Sequence, residues 1–324
     1  MIARRFLVLL ACLLVAAGPT NAAEKREALS GYDAMQMSRG PENHLLLHAR
    51  INGNPATLLI DTGADISFLR ADRGQQFGVR LLDETVRTGG KAFPVGEVSD
   101  FQAGDVHLGK FRFALYQRSE IGGAVPGEAA SAADGLIGLD LLRRHRAVIN
   151  CHSRQLFFKK EGAGGLDLAS ATRARGFRKV PLIAYRHDFL AVPCHLTGRL
   201  GQMILDTGAF VTALADDAVR AFTIKTIPSR LTARGFDGTV RPVQLAQVND
   251  LRIGGVAIAP QTFAVIDLFD SRKQVRTFTG INRIERYSQK EFAPGDRIFG
   301  LLGNELLDQR RAIIDLESMS LFLK

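Results

Sequence analysis

The sequence contains no tryptophan, and aromatic residues make up only 7% of its 324 positions. No series of stacking rings and no nucleic-acid motif accompanies its scattered cations, so the formal net charge of +9 reads as a solvated basic surface and no nucleic-acid partner is expected. Weak attraction to an anionic envelope surface is the most that this charge implies. Cysteine is scarce: Cys12 falls in an apolar leader, and Cys151 and Cys194 fit no zinc or redox spacing, which leaves a disulfide and two buried free thiols both open. The seven histidines form no ligand cluster. There is no HExxH, no Walker loop and no Ser nucleophile elbow, so no metal site and no cofactor is expected.

A membrane-length apolar run is also missing. The longest, residues 6–17, has 12 residues against the ~20 that span a bilayer. Arg4 and Arg5 precede it and small residues follow, so residues 1–23 read as a cleaved secretory signal. The expected location is therefore periplasmic or secreted, without stable membrane insertion after cleavage. "LLAC" around Cys12 is a poor lipoprotein box, since Leu13, Leu14 and Val15 continue the apolar run. With 46% hydrophobic and 23% charged residues, the rest is globular and long enough for one large core or two ordinary ones.

What the chain does have is a repeat. "TLLIDTGADISFL" (57–69) returns as "GQMILDTGAFVTAL" (201–214), 145 residues on. At that offset Gly53 matches Gly198 and "HLG" (107–109) matches "RIG" (252–254). At an offset of 165, "DGLIGLDLL" (134–142) matches "FGLLGNELL" (299–307), "AVIN" (147–150) matches "AIID" (312–315), and "LFFKK" (156–160) matches "LFLK" (321–324). The step implies about 20 residues gained by the second copy between Gly254 and Gly300. Both copies read mostly as strand, with Asn52-Gly53 suited to a tight primed turn, and short helical stretches at 71–77 and 215–222. The Gly- and Ala-rich stretch 161–175 reads as a linker between lobes at 24–160 and 176–324, and residues 24 to about 40 are too few for a large inhibitory prosegment.

An apolar strand running into Asp places a carboxylate at the edge of a core, and Gly two residues later lets the backbone turn sharply. One Asp-Thr-Gly is ordinarily just a turn. Two, at equivalent positions of related lobes, can meet across a pseudo-twofold axis, where close carboxylates hold one proton between them. Such a pair can take a proton from water and give one to an amide carbonyl.

The two "DTGA" phrases at 61–64 and 206–209, with "GLIG" (135–138) and "GLLG" (300–303), resemble the paired signatures of the retropepsin-like aspartic proteases. The resemblance covers roughly 44–160 and 183–324 and implies an all-β, bilobed acid-protease fold: two retropepsin-like β lobes on one chain, with a few short helices and no need of a second subunit. It implies Asp61 and Asp206 as the catalytic dyad of an aspartic endopeptidase, Thr62 and Thr207 as cross-braces between the loops, and Gly63 and Gly208 beside the substrate backbone. Gly-tipped flaps would lie at "RTGGKAF" (87–93), with Gly89 and Gly90, and at "ARGFDG" (233–238), with Gly235. The partner would be a peptide or protein substrate.

Departures from that pattern are specific. Asp65 matches the acidic residue that follows the retropepsin motif, but lobe two has Phe210 there. The usual arginine after the second signature is replaced by Leu139 and Asn304, which removes the usual partner of Asp65. Neither flap has Tyr, leaving Phe93 or Phe236 as cleft covers or as ordinary packed aromatics. Ala64 and Ala209 stand where pepsins carry a hydroxyl, which points to a mildly acidic to near-neutral optimum. Residues 267–297 bring four Phe or Tyr among many cations and read equally as a docking segment or a solvated loop. The alternative to an enzyme is a non-catalytic peptide-binding or envelope assembly module with the same cleft, which loss of either Asp would have favoured.

Overall fold

A computed structural model describes residues 29–40, 43–88, 91–117, 133–185, 189–234, 240–268 and 297–324. The leader, Gly89, Gly90, Gly235, Phe236 and nearly all of the 267–297 segment lie outside these residues. In chain order the first half holds β1 (Tyr32–Arg39), β2 (Leu45–Ile51), β3 (Asn54–Ile60), β4 (Phe68–Arg70), a 3₁₀ turn (Ala71–Arg73), β5 (Arg80–Thr88), β6 (Lys91–Ala103), β7 (Val106–Tyr116), β8 (Gly135–Ile137), α1 (Leu139–Arg144), β9 (Val148–Asn150) and β10 (Gln155–Lys159). After α2 (Leu168–Arg173) follow β11 (Arg178–Pro181), β12 (Ile183–Tyr185), β13 (Phe189–Leu196), β14 (Arg199–Leu205), β15 (Ala213–Ala215), α3 (Asp216–Ala221), β16 (Thr226–Arg234) and β17 (Val240–Val248). The chain closes with β18 (Leu251–Ile253), β19 (Val256–Ile258), β20 (Gln261–Ile266), β21 (Ile298–Leu302), α4 (Asn304–Gln309), β22 (Ile313–Asp315) and β23 (Ser320–Leu323). The fold is the all-β, two-lobed one, with short helices only.

Each lobe starts from a hairpin whose turn chemistry dictates its register. Asn52 and Gly53 have φ of 48° and 81°, and Thr197 and Gly198 have 50° and 75°, so both turns carry two left-handed residues, the twist that two-residue hairpins require. On β2 the residues Leu45, Leu47, Ala49 and Ile51 alternate inward, and Leu58 and Ile60 of β3 meet them in a core cluster that continues into the second lobe. In lobe one β8 lies between β3 and β4, parallel to the first and antiparallel to the second; β21 lies likewise between β14 and β15. The chain must therefore arch from one strand to the next-but-one over the end of the strand between them. Each Asp-Thr-Gly-Ala is the start of that arch.

The lobes share a sheet of six successive strands, β11-β23-β22-β9-β10-β1, which β1 carries on through β2 into the 13-stranded whole. Residues 32–39, ahead of the first recognised repeat, are an integral strand of it, paired with β10 and then β2. The stretch read as a plain linker contains α2, whose first turn is capped by Asp167 accepting from Ser170 N–H at 3.0 Å. Cys151 and Cys194 are buried free thiols, and burial pushes both up to about 12.

The strand registers correct one part of the repeat. β13 pairs with β18 where β2 pairs with the end of β6, so "RIG" (252–254) is the counterpart of residues 102–104, not of "HLG". The turn glycines agree: Gly104 has φ of 56° and Gly254 has φ of 53°. The offset thus runs from 145 to 150 to 165, with five extra residues at the β16–β17 tip and fifteen between β20 and β21. A three-residue match with one shared glycine is too short to anchor a register against a local hairpin insertion.

Candidate active site

Both arches are tied to the strand beneath them by the same bonds. The Asp61 N–H donates to Ile137 O at 3.0 Å and the Asp206 N–H to Leu302 O at 3.0 Å. Gly138 N–H reaches Ser67 Oγ, and Gly303 N–H reaches Thr212 Oγ1, each at 3.0 Å. Leu139 N–H and Asn304 N–H then donate to Ala64 O and Ala209 O at 2.8 and 2.9 Å. Glycine is required in the second signature because a Cβ on Gly138 would lie 2.4 Å from Ile66 O, and one on Gly303 2.5 Å from Val211 C. The two apolar-Gly phrases are therefore the floors on which the Asp loops rest.

The loops are also tied to each other. Thr62 Oγ1 donates to Leu205 O at 2.9 Å and accepts from Thr207 N–H at 3.0 Å. Thr207 Oγ1 donates to Ile60 O at 2.8 Å and accepts from Thr62 N–H at 2.9 Å. Both threonines are 0% exposed, so four backbone groups at the lobe junction depend on two hydroxyls.

This brace brings Asp61 and Asp206 together. A Cβ on Gly63 would sit 2.6 Å from the Asp206 carboxyl carbon, and one on Gly208 2.5 Å from that of Asp61, so each glycine packs against the opposite carboxyl. The two carboxyls lie close enough to perturb each other. Asp61 is raised well above the usual carboxylate range, by burial first and then by the Asp206 charge, partly offset by the Gly63 and Gly208 N–H groups. Asp206 is raised too, by burial, against the lowering effect of the Ala209 and Gly208 N–H groups, the Asp61 hydrogen bond and the nearby His44. Two carboxyls this close do not both ionise easily, so the pair holds one proton, and the Gly208 and Ala209 N–H groups on Asp206 Oδ1 favour the ionised form on that side. Such a pair presents an acid and a base side by side.

Around the pair the lobes differ. Asp65 Oδ1 accepts from the Thr88 hydroxyl at 2.8 Å and from Ile66 N–H at 3.0 Å, so its partner comes from the β5–β6 flap hairpin and ties that hairpin to the first loop. Asn304 turns its amide to Thr207 O, while Phe210 is exposed. Phe93 is buried and meets Phe68 edge-on at 5.0 Å between ring centres, which makes it a packing residue under the flap. Two residues without any motif also reach the second loop: His44 Nε2 lies 2.9 Å from Gly208 O, and Asn43 Nδ2 donates to Phe210 O at 3.3 Å. In the sequence, His44 is only the polar residue ahead of an alternating strand. Among the described residues no group of His, Cys, Asp or Glu could hold a metal ion.

The family described as aspartyl protease matches residues 47–141 and 192–306, the segments that carry both loops and both floors. No curated protein matches the sequence. Among solved structures, basic 7S globulin from soybean is similar with a TM-score of 0.47 and 11% identity, over 91% of this chain and 95% of that one. Conglutin gamma, a basic 7S globulin from lupine seeds, gives 0.49 and 10% over 91% and 95%. Aspartic proteinase from Irpex lacteus gives 0.48 and 13% over 90% and 96%.

Proposed function

The chain belongs to the aspartyl protease family, and from that premise we propose that it is an active aspartic endopeptidase whose dyad is Asp61 and Asp206. The observation that carries this reading is the reciprocal packing of each loop's glycine on the other loop's carboxyl, which sets two partly buried acids beside each other, each raised by burial. A non-catalytic binding cleft has no need of that pair, and burying it is costly.

In the proposed reaction the Asp206 carboxylate takes a proton from a water held between the two acids. The water oxygen adds to the scissile carbonyl carbon as Asp61 gives its proton to the carbonyl oxygen, and a gem-diol forms. Its collapse breaks the C–N bond, with one proton passing from the diol to the pair and one from the pair to the leaving nitrogen. The enzyme would act as a monomer on peptides or proteins outside the cytoplasm, following export by the residue 1–23 leader. No helix among the described residues is long and apolar enough to cross a membrane.

Digestion of a high-diversity peptide library by the purified protein, read by mass spectrometry, tests the proposal. Wild type should cut internal bonds, and Asp61→Asn and Asp206→Asn should each reduce turnover at least about a thousandfold with an unchanged fold, because the dyad acts as a unit. Near-wild-type turnover in either variant would remove the dyad assignment.

A further inference from the structure

The two halves of the dyad are held unequally, and the inequality starts from a residue of the wrong lobe. Asp206 Oδ1 accepts two backbone bonds, from Gly208 N–H at 2.9 Å and from Ala209 N–H at 3.0 Å, the latter N–H also lying 3.3 Å from Asp206 O. Asp61 Oδ1 accepts from Gly63 N–H at 2.8 Å, whereas Ala64 N–H goes to the Asp61 backbone carbonyl at 3.4 Å. The Ala209 N–H and the Gly208 carbonyl belong to one peptide unit. A carbonyl only accepts, so the His44 contact to it is an Nε2–H donation. A hydrogen-bond chain therefore runs from the imidazole through a single peptide plane to the Asp206 carboxyl, and each bond in such a chain polarises the next.

We infer that His44, supplied by the first lobe, is a positioning residue for the Asp206 half of the pair and makes the two carboxyls chemically unequal. The inference deepens the proteolytic reading and rests on it. At the repeat offset of 145, the counterpart of His44 is Phe189, whose side chain has no N–H to donate.

The segment bearing His44 is fastened from behind. Gly40 N–H donates to His44 O at 2.9 Å. The Arg39 guanidinium at the end of β1 donates to Asn43 O at 3.1 Å, to Asn43 Oδ1, and to Cys151 O at 3.0 Å. It also pairs with Asp308 of α4 at 3.4 Å, and His152 holds the same carboxylate at 2.9 Å. Among the described residues, the charged and titratable groups that these contacts set about His44 include Asp206 in front, with Arg39 and its partners Asp308 and His152 behind. Beside Asp206 the imidazole thus contributes the hydrogen-bond chain and an electrostatic effect that favours the carboxylate.

Two variants separate these contributions. His44→Gln keeps an N–H donor without the charge, and His44→Phe installs the lobe-two residue and removes both. Carboxyl carbon NMR titration of the resting protein reads the dyad without any substrate, and the pH dependence of kcat/KM on a library-derived peptide reads it in turnover. In His44→Phe the lower apparent pKa of the pair should rise by about 1 unit, with the acidic limb of kcat/KM moving by the same amount. His44→Gln should show a smaller rise. An unmoved carboxyl titration in a folded His44→Phe, or equal shifts of both carboxyls, would overturn the assignment. A wild type that cleaves no peptide yet shows the NMR shift would overturn the protease reading and leave the role of His44 in place.

Discussion

Thr62 and Thr207 each donate a hydroxyl to the strand that ends at the other's aspartate, and each accepts the other's N–H. The relationship is reciprocal, so one substitution damages both loops. Thr62→Val keeps the shape but leaves Leu205 O and Thr207 N–H without partners in a buried junction. The cost should be roughly 1–3 kcal/mol for each group left unpaired. Denaturant unfolding should show that loss, and turnover should fall with it, while Thr→Ser at either position should recover most of both.

The raised dyad makes a prediction about stability as well as turnover. Because the Asp61 carboxyl is raised on folding, the folded protein binds more protons than the unfolded chain once the pH exceeds the ordinary carboxyl value of ~4. Stability contributed by that proton is present at low pH and is lost as the pH climbs through the folded value. Asp61→Asn removes the titration. Its Tm should therefore exceed that of wild type increasingly as the pH rises toward neutral, and a gap that narrows instead would contradict the raised pKa.

Turnover should peak in the mildly acidic to near-neutral range. Burial raises both carboxyls, and neither Ala64 nor Ala209 has a hydroxyl to stabilise an ionised partner. Replacing both by Ser should move the pH-rate profile downward by about a unit. A profile that stays in place would exclude the missing hydroxyls as the cause.

How much of this was legible in the residues depended on the length of the pattern. The Asp-Thr-Gly-Ala loops and their apolar-Gly floors are separated in sequence but recur in order, and the strand topology that joins them accounts for both. The Asn52-Gly53 turn was readable because two left-handed residues leave few choices, and Thr197 fills the same conformation less conspicuously. β1 carries no such signal: its pairing partner β10 lies more than 110 residues away, and nothing in "YDAMQMSR" announces a long-range partner. His44 was invisible for a related reason. Its importance comes from the opposite lobe's main chain, and a contact to a backbone carbonyl leaves no trace in the partner's side chain. The family pattern places the partner of Asp65 after the second signature, whereas here a flap threonine provides it.

The shared sheet has one further property. Ile314 pairs with Ile149, Ile313 with Asn150 and Asp315 with Val148. At the 165-residue offset, Ile314 is the counterpart of Ile149, so the two strands at the middle of the sheet meet as a self-complementary pair whose local twofold passes between these isoleucines. A contact of that kind is isologous: the edge that β9 offers is the edge that a second copy of the first half would need. The same half carries Thr62, whose donor and acceptor would serve a second Thr62 equally well. Joining the halves in one chain adds no new kind of contact at this seam. What it adds is the freedom to differ, and His44 in the first half where the second has Phe189 is a difference that two identical halves could not carry.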